Sequence, residues 1–277
     1  MRDLGKAQQL AALGVELVPG SLADTSTLHQ LCADCSAVIH GAGAVRGSSQ
    51  AEFDRVNVSG TAAIIDAVKS QPQPPLLLLL SSLAASQAHL SWYAHSKRAG
   101  EQQLEQEEQI DWVILRPPAV YGPGDKEMLP VFQMMSHGIA PVAGSIDARI
   151  SLIHVTDLVE AIIACLCEEA CQHQVLTLCD GKAAGYNWRE MADLAEHTWS
   201  RRVRLWQLPE WLLDTVAAGN LRLARITGRA PMLTPPKLRE LRHPDWVVDN
   251  QAITRITGWH PKMDLKKGLE ELYNSAL

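Results

Sequence analysis

The sequence predicts an α/β chain built on a parallel sheet. Two observations carry this. Leu76–Leu80 is a run of five leucines, apolar on both sides of the pleat, as expected of a strand covered on both faces. Strand-like runs at 37–40, 76–80 and 111–115 also alternate with helix-like runs at 24–35, 51–70 and 92–105, the alternation that gives an α/β layer structure.

Composition narrows the function classes. The 277 residues are 47% hydrophobic and 20% charged, enough for one good-sized core or a core plus a small lobe. The net charge of −6 lacks the basic excess of a phosphate-backbone binder, so nucleic acid is not an expected partner. The longest strongly apolar run, Pro74 to Leu80, falls far short of the ~20 residues that span a bilayer. The start, Met1-Arg2-Asp3-Leu4-Gly5-Lys6, has no apolar signal segment, so the default compartment is the cytoplasm. Cys32 and Cys35 have redox spacing but close a helix. Cys165, Cys167 and Cys171 precede His173 on an apolar helix without a second ligand pair. Small buried side chains are the preferred reading of both groups, and no metal is expected.

In chain order, Lys6 to Leu13 reads as the end of a helix broken by Gly14. Val15 to Val18 reads as a strand, followed by the turn Pro19-Gly20-Ser21-Leu22. Asp24 to Cys35 reads as a helix capped by Asp24 or Thr25. Ala37–His40 is a short strand closed by Gly41-Ala42-Gly43. Ala51 to Ser70 reads as one long helix, with Phe53, Val56, Ile64, Ala67 and Val68 at helical spacing. After the Gln71–Pro75 turn and the leucine strand come a short loop, Leu83 to Ser91, and a helix from about Trp92 to Glu105. Asp111 to Leu115 is the next strand, ending in Arg116-Pro117-Pro118.

Met128 to Ser136 reads as a helix whose Met134-Met135 either line a pocket or fill the core. Ile150 to Val155 is a strand, and Thr156 caps the helix after it. His154 and Asp157 have no third ligand to make them a metal pair. Val175 to Leu178 and Val203 to Leu205 are strands, and Asn187-Trp188-Arg189-Glu190 opens a helix with a capping-box pattern. Pro209 begins a helix to about Ile226, with Arg222, Arg225 and Arg229 in a partial stripe. A solvated face is preferred there over a diphosphate site.

The chemistry concentrates in Tyr93-Ala94-His95-Ser96-Lys97. Positions i and i+4 share a helix face, so Tyr93 and Lys97 point the same way. A phenol titrates near ~10, and a cation one turn away is expected to lower that value. A strand-end hydroxyl, Ser82 or alternatively Ser81, can polarise a carbonyl oxygen. Alone, a Tyr–Lys pair is an ordinary amphipathic helix; its neighbours make it specific. Asn57-Val58-Ser59-Gly60-Thr61, Arg116 to Gly124, Ile153-His154-Val155-Thr156-Asp157 and the closing Gly258-Trp259-His260-Pro261 stretch all fall in a fixed order around it.

Together these motifs resemble the extended short-chain dehydrogenase/reductase family, which includes the NAD-dependent epimerases and dehydratases. The resemblance covers essentially the whole chain. It implies a Rossmann-like doubly wound parallel sheet that lacks its first β-α-β unit, with a small C-terminal substrate lobe. The incomplete dinucleotide-binding core spans 1–170, and 171–277 is mainly the substrate lobe, with segments at about 174–206 able to return to the core. No G-x-G-x-x-G turn lies near the N-terminus, although that turn holds a dinucleotide pyrophosphate. The start is therefore expected to be internal to a longer reading frame, Met1-Arg2-Asp3 marking the end of the missing second strand. With strands 1 and 2 absent from the middle of the sheet, Val15–Val18 either pairs with Ala37–His40 or docks poorly.

The resemblance implies an NAD(P)-dependent oxidoreductase, with Ser82, Tyr93, Lys97 and Asn57 as the catalytic set. Tyr93 exchanges the proton, Lys97 lowers its pKa and holds the nicotinamide ribose, Ser82 orients the substrate oxygen and Asn57 supports the site. Arg2, Ser21, Leu22, Gly41, Ala42, Gly43, Pro117 and Pro118, with Tyr93 and Lys97, are the expected cofactor contacts. Ser21 stands where some members carry an adenine-binding acid, and Arg2 where a basic residue meets a 2′-phosphate, which tilts NAD or NADP slightly toward NADP. The apolar C-terminal third, including Trp211–Ile226, Leu233-Thr234-Pro235-Pro236 and Trp246, resembles the sterol and flavonoid reductase branch and implies a small, moderately apolar hydroxy or keto substrate. The alternatives are a nucleotide-sugar epimerase or dehydratase, disfavoured by the short Leu83–Ser91 loop, and a non-catalytic cofactor sensor or scaffold. A homodimer is expected by analogy alone.

Overall fold

The computed structural model describes residues 8–228, 230–231 and 233–276. Helix α1 (Gln8–Ala12) leads into an irregular stretch, and α2 (Thr25–Cys32) then starts on Asp24, whose carboxylate accepts from Thr27 N at 3.2 Å. Strand β1 (Ala37–His40), helices α3 (Gln50–Asn57) and α4 (Ser59–Lys69), strand β2 (Leu76–Leu80), helix α5 (Trp92–Glu105) and strand β3 (Trp112–Arg116) follow. Next come β4 (Ala119–Tyr121), α6 (Leu129–Ser136), β5 (Ile139–Val142), β6 (Arg149–Ile150), β7 (Leu152–His154), α7 (Val155–Leu166) and β8 (Gln174–Thr177).

The main sheet runs β1-β2-β3-β8, all parallel, with Val38 opposite Leu77, Leu78 opposite Val113 and Leu115 opposite Leu176. The strand period of two sorts its side chains between two cores. Leu77, Leu79 and Ile114 pack with Leu28 of α2 and Ile64 and Val68 of α4. Leu78, Val113 and Leu115 pack on the other face with Leu158 and Ala161 of α7. Helices on both faces make this a doubly wound α/β fold, with the leucine strand covered on both sides as its sequence predicted.

The rest of the chain is α8 (Trp188–Trp199), β9 (Arg204–Gln207), α9 (Glu210–Thr227), α10 (Pro235–Leu241), β10 (Asp245–Trp246), α11 (Gln251–Thr257) and α12 (Leu265–Ala276). Asn187 and Glu190 close the capping box that opens α8. A third core joins Tyr121, Phe132, Met135, Leu152, Met191 and Leu269, so Met135 fills the core while Met134 stays exposed. A small fourth core holds Leu213 and Ala217 of α9 against Leu238 of α10. Ile253 of α11 returns to the main sheet. Buried Asp157 accepts from Lys262 N and Met263 N at 3.1 and 2.9 Å, which pins the C-terminal segment to α7.

Three expectations are corrected. Val15–Val18 forms no strand, and among the described residues β1 is paired on one side only, by β2; without a ladder, Val15 lies 48% exposed. The helix predicted over 51–70 is two helices, interrupted at Val58. His154, not Thr156, caps α7: its Nδ1 faces the Thr156 hydroxyl at 2.7 Å, and the helix already includes Val155.

Candidate active site

The site forms where the carboxyl ends of β1 and β2 meet the start of α5. Ser91 caps α5, its hydroxyl accepting from Ala94 N at 3.0 Å. This places Tyr93 in the first turn, partly exposed, and Lys97 one turn further, buried. Past the end of β2, the Ser82 hydroxyl accepts from Ala84 N at 3.2 Å, which opens a 3₁₀ turn, and it acts on the Tyr93 phenol, drawing its pKa down. Ser81 is committed elsewhere. Its hydroxyl donates at 2.5 Å to Glu101, a fully buried carboxylate also gripped by Arg116 through Nε at 2.9 Å and Nη2 at 2.6 Å. Of the two serines, Ser82 is the one that acts on the phenol.

The electrostatics differ from the expectation of an acidified phenol. Tyr93 is pushed up to about 12, chiefly by burial; the Ser82 hydrogen bond pulls the other way, and the carboxylates of Glu240 and Glu127 add to the rise. Lys97 is pushed down to about 8, again chiefly by burial, with Glu101 opposing the drop. Its ammonium donates to the Leu80 carbonyl at 2.7 Å. Loss of water is the largest cause of both shifts, and a neutral phenol is the stable form.

Asn57 ties the parts together. Its Oδ1 accepts from Ala44 N at 2.7 Å, and its Nδ2 donates to Ala44 O at 3.0 Å and to Ser96 Oγ at 2.9 Å. It therefore fixes the loop after β1 against α5. The helix break at Val58 belongs to this arrangement: the Asn57 carbonyl accepts from the Thr61 hydroxyl at 2.7 Å, and a Cβ on Gly100 of α5 would stand only 2.6 Å from that carbonyl oxygen. Gly43 borders the same spot, where a Cβ would lie 3.2 Å from Asn57 Oδ1 and 3.8 Å from Lys97 Nζ. Gly41 faces Leu80, 4.0 Å from its Cδ2 by the same measure. His40, buried at the end of β1, meets the Thr61 hydroxyl at 3.2 Å; burial and then the Lys97 charge hold it down at about 4.

Beside Tyr93 a pocket opens, lined by Arg46, Phe53, Trp92, Pro236 and Lys237 among others. Phe53 meets the tyrosine ring edge-on at 6.3 Å, and the Lys237 ammonium stands 5.6 Å from its centroid. Lys237 is ion-paired with Glu240, which also accepts from the Ser91 hydroxyl at 2.5 Å. Arg46 pairs with Glu127 at 2.8 Å. Sequence reading missed Arg46, Lys237 and Glu240 as site residues. No local motif marks them, because α10 reaches Tyr93 only through tertiary packing.

The other expected contacts are placed as follows. Pro117 and Pro118 link β3 to β4, and the Pro117 carbonyl accepts from Leu83 N at 2.8 Å. Ser21 and Leu22 lie in the turn before α2; Ser21 Oγ accepts from Ala23 N at 3.3 Å, and Leu22 packs so closely on α4 that a Cβ on Gly60 would stand 2.6 Å from its Cδ1. Arg2 lies outside the described residues. Among the described residues, no group of three His, Cys, Asp or Glu side chains is arranged to hold a metal ion.

A model of the NAD-dependent epimerase/dehydratase family matches residues 2–176. The chain belongs to that family. Family relatives include the ceramide reductase of Caulobacter vibrioides, 35% identical over 238 residues, or 84% of this chain and 72% of that protein. The UDP-glucose 4-epimerase of Vibrio cholerae is 33% identical over 193 residues, 67% of this chain and 53% of the epimerase. Among solved structures, RMD from Pseudomonas aeruginosa complexed with NADPH superposes with a TM-score of 0.71 at 19% identity, covering 98% of this chain and 94% of that one. A mutant UDP-glucuronic acid 4-epimerase from Bacillus cereus, in complex with NAD, gives 0.75 at 18% identity, covering 98% and 84%. These two likenesses concern the fold. Membership in the epimerase/dehydratase family places the protein among NAD(P)-dependent reductases and epimerases.

Proposed function

We propose that this family member is an oxidoreductase that transfers hydride between a nicotinamide cofactor and the hydroxyl or keto carbon of a moderately apolar substrate, using Tyr93, Lys97 and Ser82. The observation that carries the reading is Tyr93 at the wall of the pocket, with Ser82 drawing its pKa down and buried Lys97 one helical turn away. The residues present fit the nicotinamide-ribose end of a dinucleotide. Parallel strands deliver the loop after His40 and the serines after Leu80 to one edge of the sheet, where α/β folds bind such ligands. Gly43 keeps a side chain out of the space beside Asn57 and Lys97. Lys97 has three N–H donors, and the Leu80 carbonyl takes one of them. Lys97 and Gly43 would hold the ribose, with Pro117 and Pro118 as a wall that asks for no backbone donor. The cofactor is NAD or NADP, and the sequence position of Arg2 slightly favours NADP.

When bound, the nicotinamide supplies or accepts the hydride. The protein's part is proton transfer and orientation. Ser82 hydrogen-bonds the substrate oxygen alongside Tyr93. A phenol held near 12 stays protonated at neutral pH and gives its proton to the far more basic oxygen of a developing alkoxide. Ketone reduction would draw on that protonated form, and alcohol oxidation on its conjugate base. Lys97, one helical turn away, keeps most of its charge at neutral pH and would support the phenolate left behind. The relatives named ceramide reductase and 2-alkyl-3-oxoalkanoate reductase support an apolar oxygenated substrate. The relative named UDP-glucose 4-epimerase supports the second reading, a nucleotide-sugar epimerase.

The test follows loss of NADH or NADPH absorbance with a panel of alkyl ketones and 3-oxo acids. Turnover that Tyr93→Phe lowers by ~10²–10⁴-fold, at an unchanged melting temperature, supports the proposal. Epimerisation of a UDP-sugar with no ketone turnover replaces it with the second reading.

A further inference from the structure

Helix α9 carries an apolar face that the fold does not cover. Its inner side packs Leu213 and Ala217 on Leu238 of α10, and Arg242 fastens it through Asp214 at 2.9 Å and the Glu210 carbonyl at 3.2 Å. On the other side Leu212, Val216, Leu223 and Ile226 are 36%, 43%, 57% and 82% exposed. At 3.6 residues per turn these four positions fall on one stripe along the helix. Trp211, 70% exposed, and exposed Arg222 flank one margin of it. Just before the helix, Trp206 is 56% exposed on β9, two residues from exposed Arg204.

Charge follows the same region. Residues 201–242 carry nine Lys and Arg against three Asp and Glu, a net +6 within a chain whose total is −6. Exposed Arg201, Arg202, Arg204 and Arg222 contribute to it. An apolar stripe with tryptophan and arginine at its margin is the pattern of a helix lying in a membrane interface, and a cationic segment is drawn to anionic lipid. A second copy of the chain suits the face less well. A two-fold contact sets a patch against itself, and here it would oppose two segments of +6, a like-charge juxtaposition that disfavours association.

We propose that α9, with its Trp206 approach, docks the protein on an anionic bilayer surface without crossing it. This does not depend on the catalytic reading. Helix α10, which packs on α9 and lends Pro236 and Lys237 to the pocket wall, would stand between the lipid-docked helix and Tyr93.

The full chain is tested by co-sedimentation with vesicles of phosphatidylcholine alone and with added phosphatidylglycerol. The expected result is binding to the anionic vesicles that weakens as salt rises, with little binding to the neutral ones. Leu223→Asp with Ile226→Asp, both at exposed positions, should lower that binding at least tenfold while leaving the melting temperature in place. Arg222→Glu should weaken it several-fold. Absence of binding to anionic vesicles at low salt overturns the proposal, as does equal binding to neutral vesicles or a double variant that binds like wild type. If the aspartates instead convert a dimer to a monomer in sedimentation velocity and leave vesicle binding unchanged, the face is an interface between copies and the proposal falls.

Discussion

The Ser91 hydroxyl donates to Glu240 Oε2 at 2.5 Å, joining two residues 149 positions apart. Ser91 is the cap of the helix that carries Tyr93, and Glu240 belongs to the helix that carries Lys237, whose ammonium stands over the tyrosine ring. The pocket therefore has two walls of distant origin, held together at a buried carboxylate.

Removing that carboxylate by Glu240→Ala leaves the Ser91 hydroxyl and the Lys237 ammonium without their shared acceptor. The expected cost is about 2 kcal/mol, since stranding a partner of a buried hydrogen bond costs ~1–3 kcal/mol. Ser91→Ala should cost a similar amount through loss of the cap. Because the two share one bond, the double variant should cost less than the sum of the singles. Urea unfolding of the four proteins checks this; strict additivity would show that the contact contributes nothing.

Two mid-helix glycines should respond in opposite directions to the same change. Alanine gains up to ~1 kcal/mol over glycine inside a helix. At Gly219 of α9 a new Cβ meets nothing within 4 Å, so Gly219→Ala should stabilise. At Gly100 it would stand 2.6 Å from the Asn57 carbonyl oxygen, a backbone atom that cannot swing aside. Gly100→Ala should therefore destabilise, by about 1–3 kcal/mol in the manner of overpacked cores, and should shift α5 and with it Tyr93. Melting curves of the two variants decide it.

Much of this fold was legible in the sequence because its strands are covered on both faces and its helices are capped locally. Leu76–Leu80 declares its burial in five letters, and Asp24 and Asn187 cap helices from their own chain neighbours. What failed depended on distant partners. Val15–Val18 has strand-like residues, but a strand exists only where another strand pairs with it. The break at Val58 comes from Asn57 being held by Ala44 and Ser96, contacts that helical periodicity does not encode. The same holds at the site. The spacing of Tyr93 and Lys97 is written in the sequence, but Lys237 and Glu240 arrive from 140 residues and more downstream with no motif of their own. Burial, which decides the sign of the Tyr93 shift, is a property of the packed molecule alone.

Acid should loosen the fold through His40. In the folded protein it stays neutral down to about 4, against its ordinary 6.5, so between those values the unfolded chain binds more protons. Stability is then full above about 6.5 and falls as pH drops toward 4, by about 3 kcal/mol for a shift of this size. His40→Gln keeps a polar partner for Thr61 and removes the titration. Urea midpoints of wild type should decline more steeply than those of the variant between pH 6.5 and 4; parallel curves would show that His40 charges freely in the fold.

Alkali should act through Lys97 in the opposite sense. Its folded value stands at about 8 against 10.5, so below pH 8 the fold carries a buried ammonium at a cost, and above it the folded state gives up a proton that the unfolded chain retains. Wild-type stability should therefore rise relative to Lys97→Met as pH climbs from 8 toward 10, by up to about 3 kcal/mol if the whole window could be crossed. The comparison with the variant cancels the other alkaline groups, including Tyr93, whose own loss of stability begins only near 10, where an unfolded phenol ionises and the folded one does not. Paired urea curves at pH 7, 8, 9 and 10 read the difference directly. A gap that stays constant over that range would mean that the Lys97 ammonium is solvated as well in the fold as in the unfolded chain.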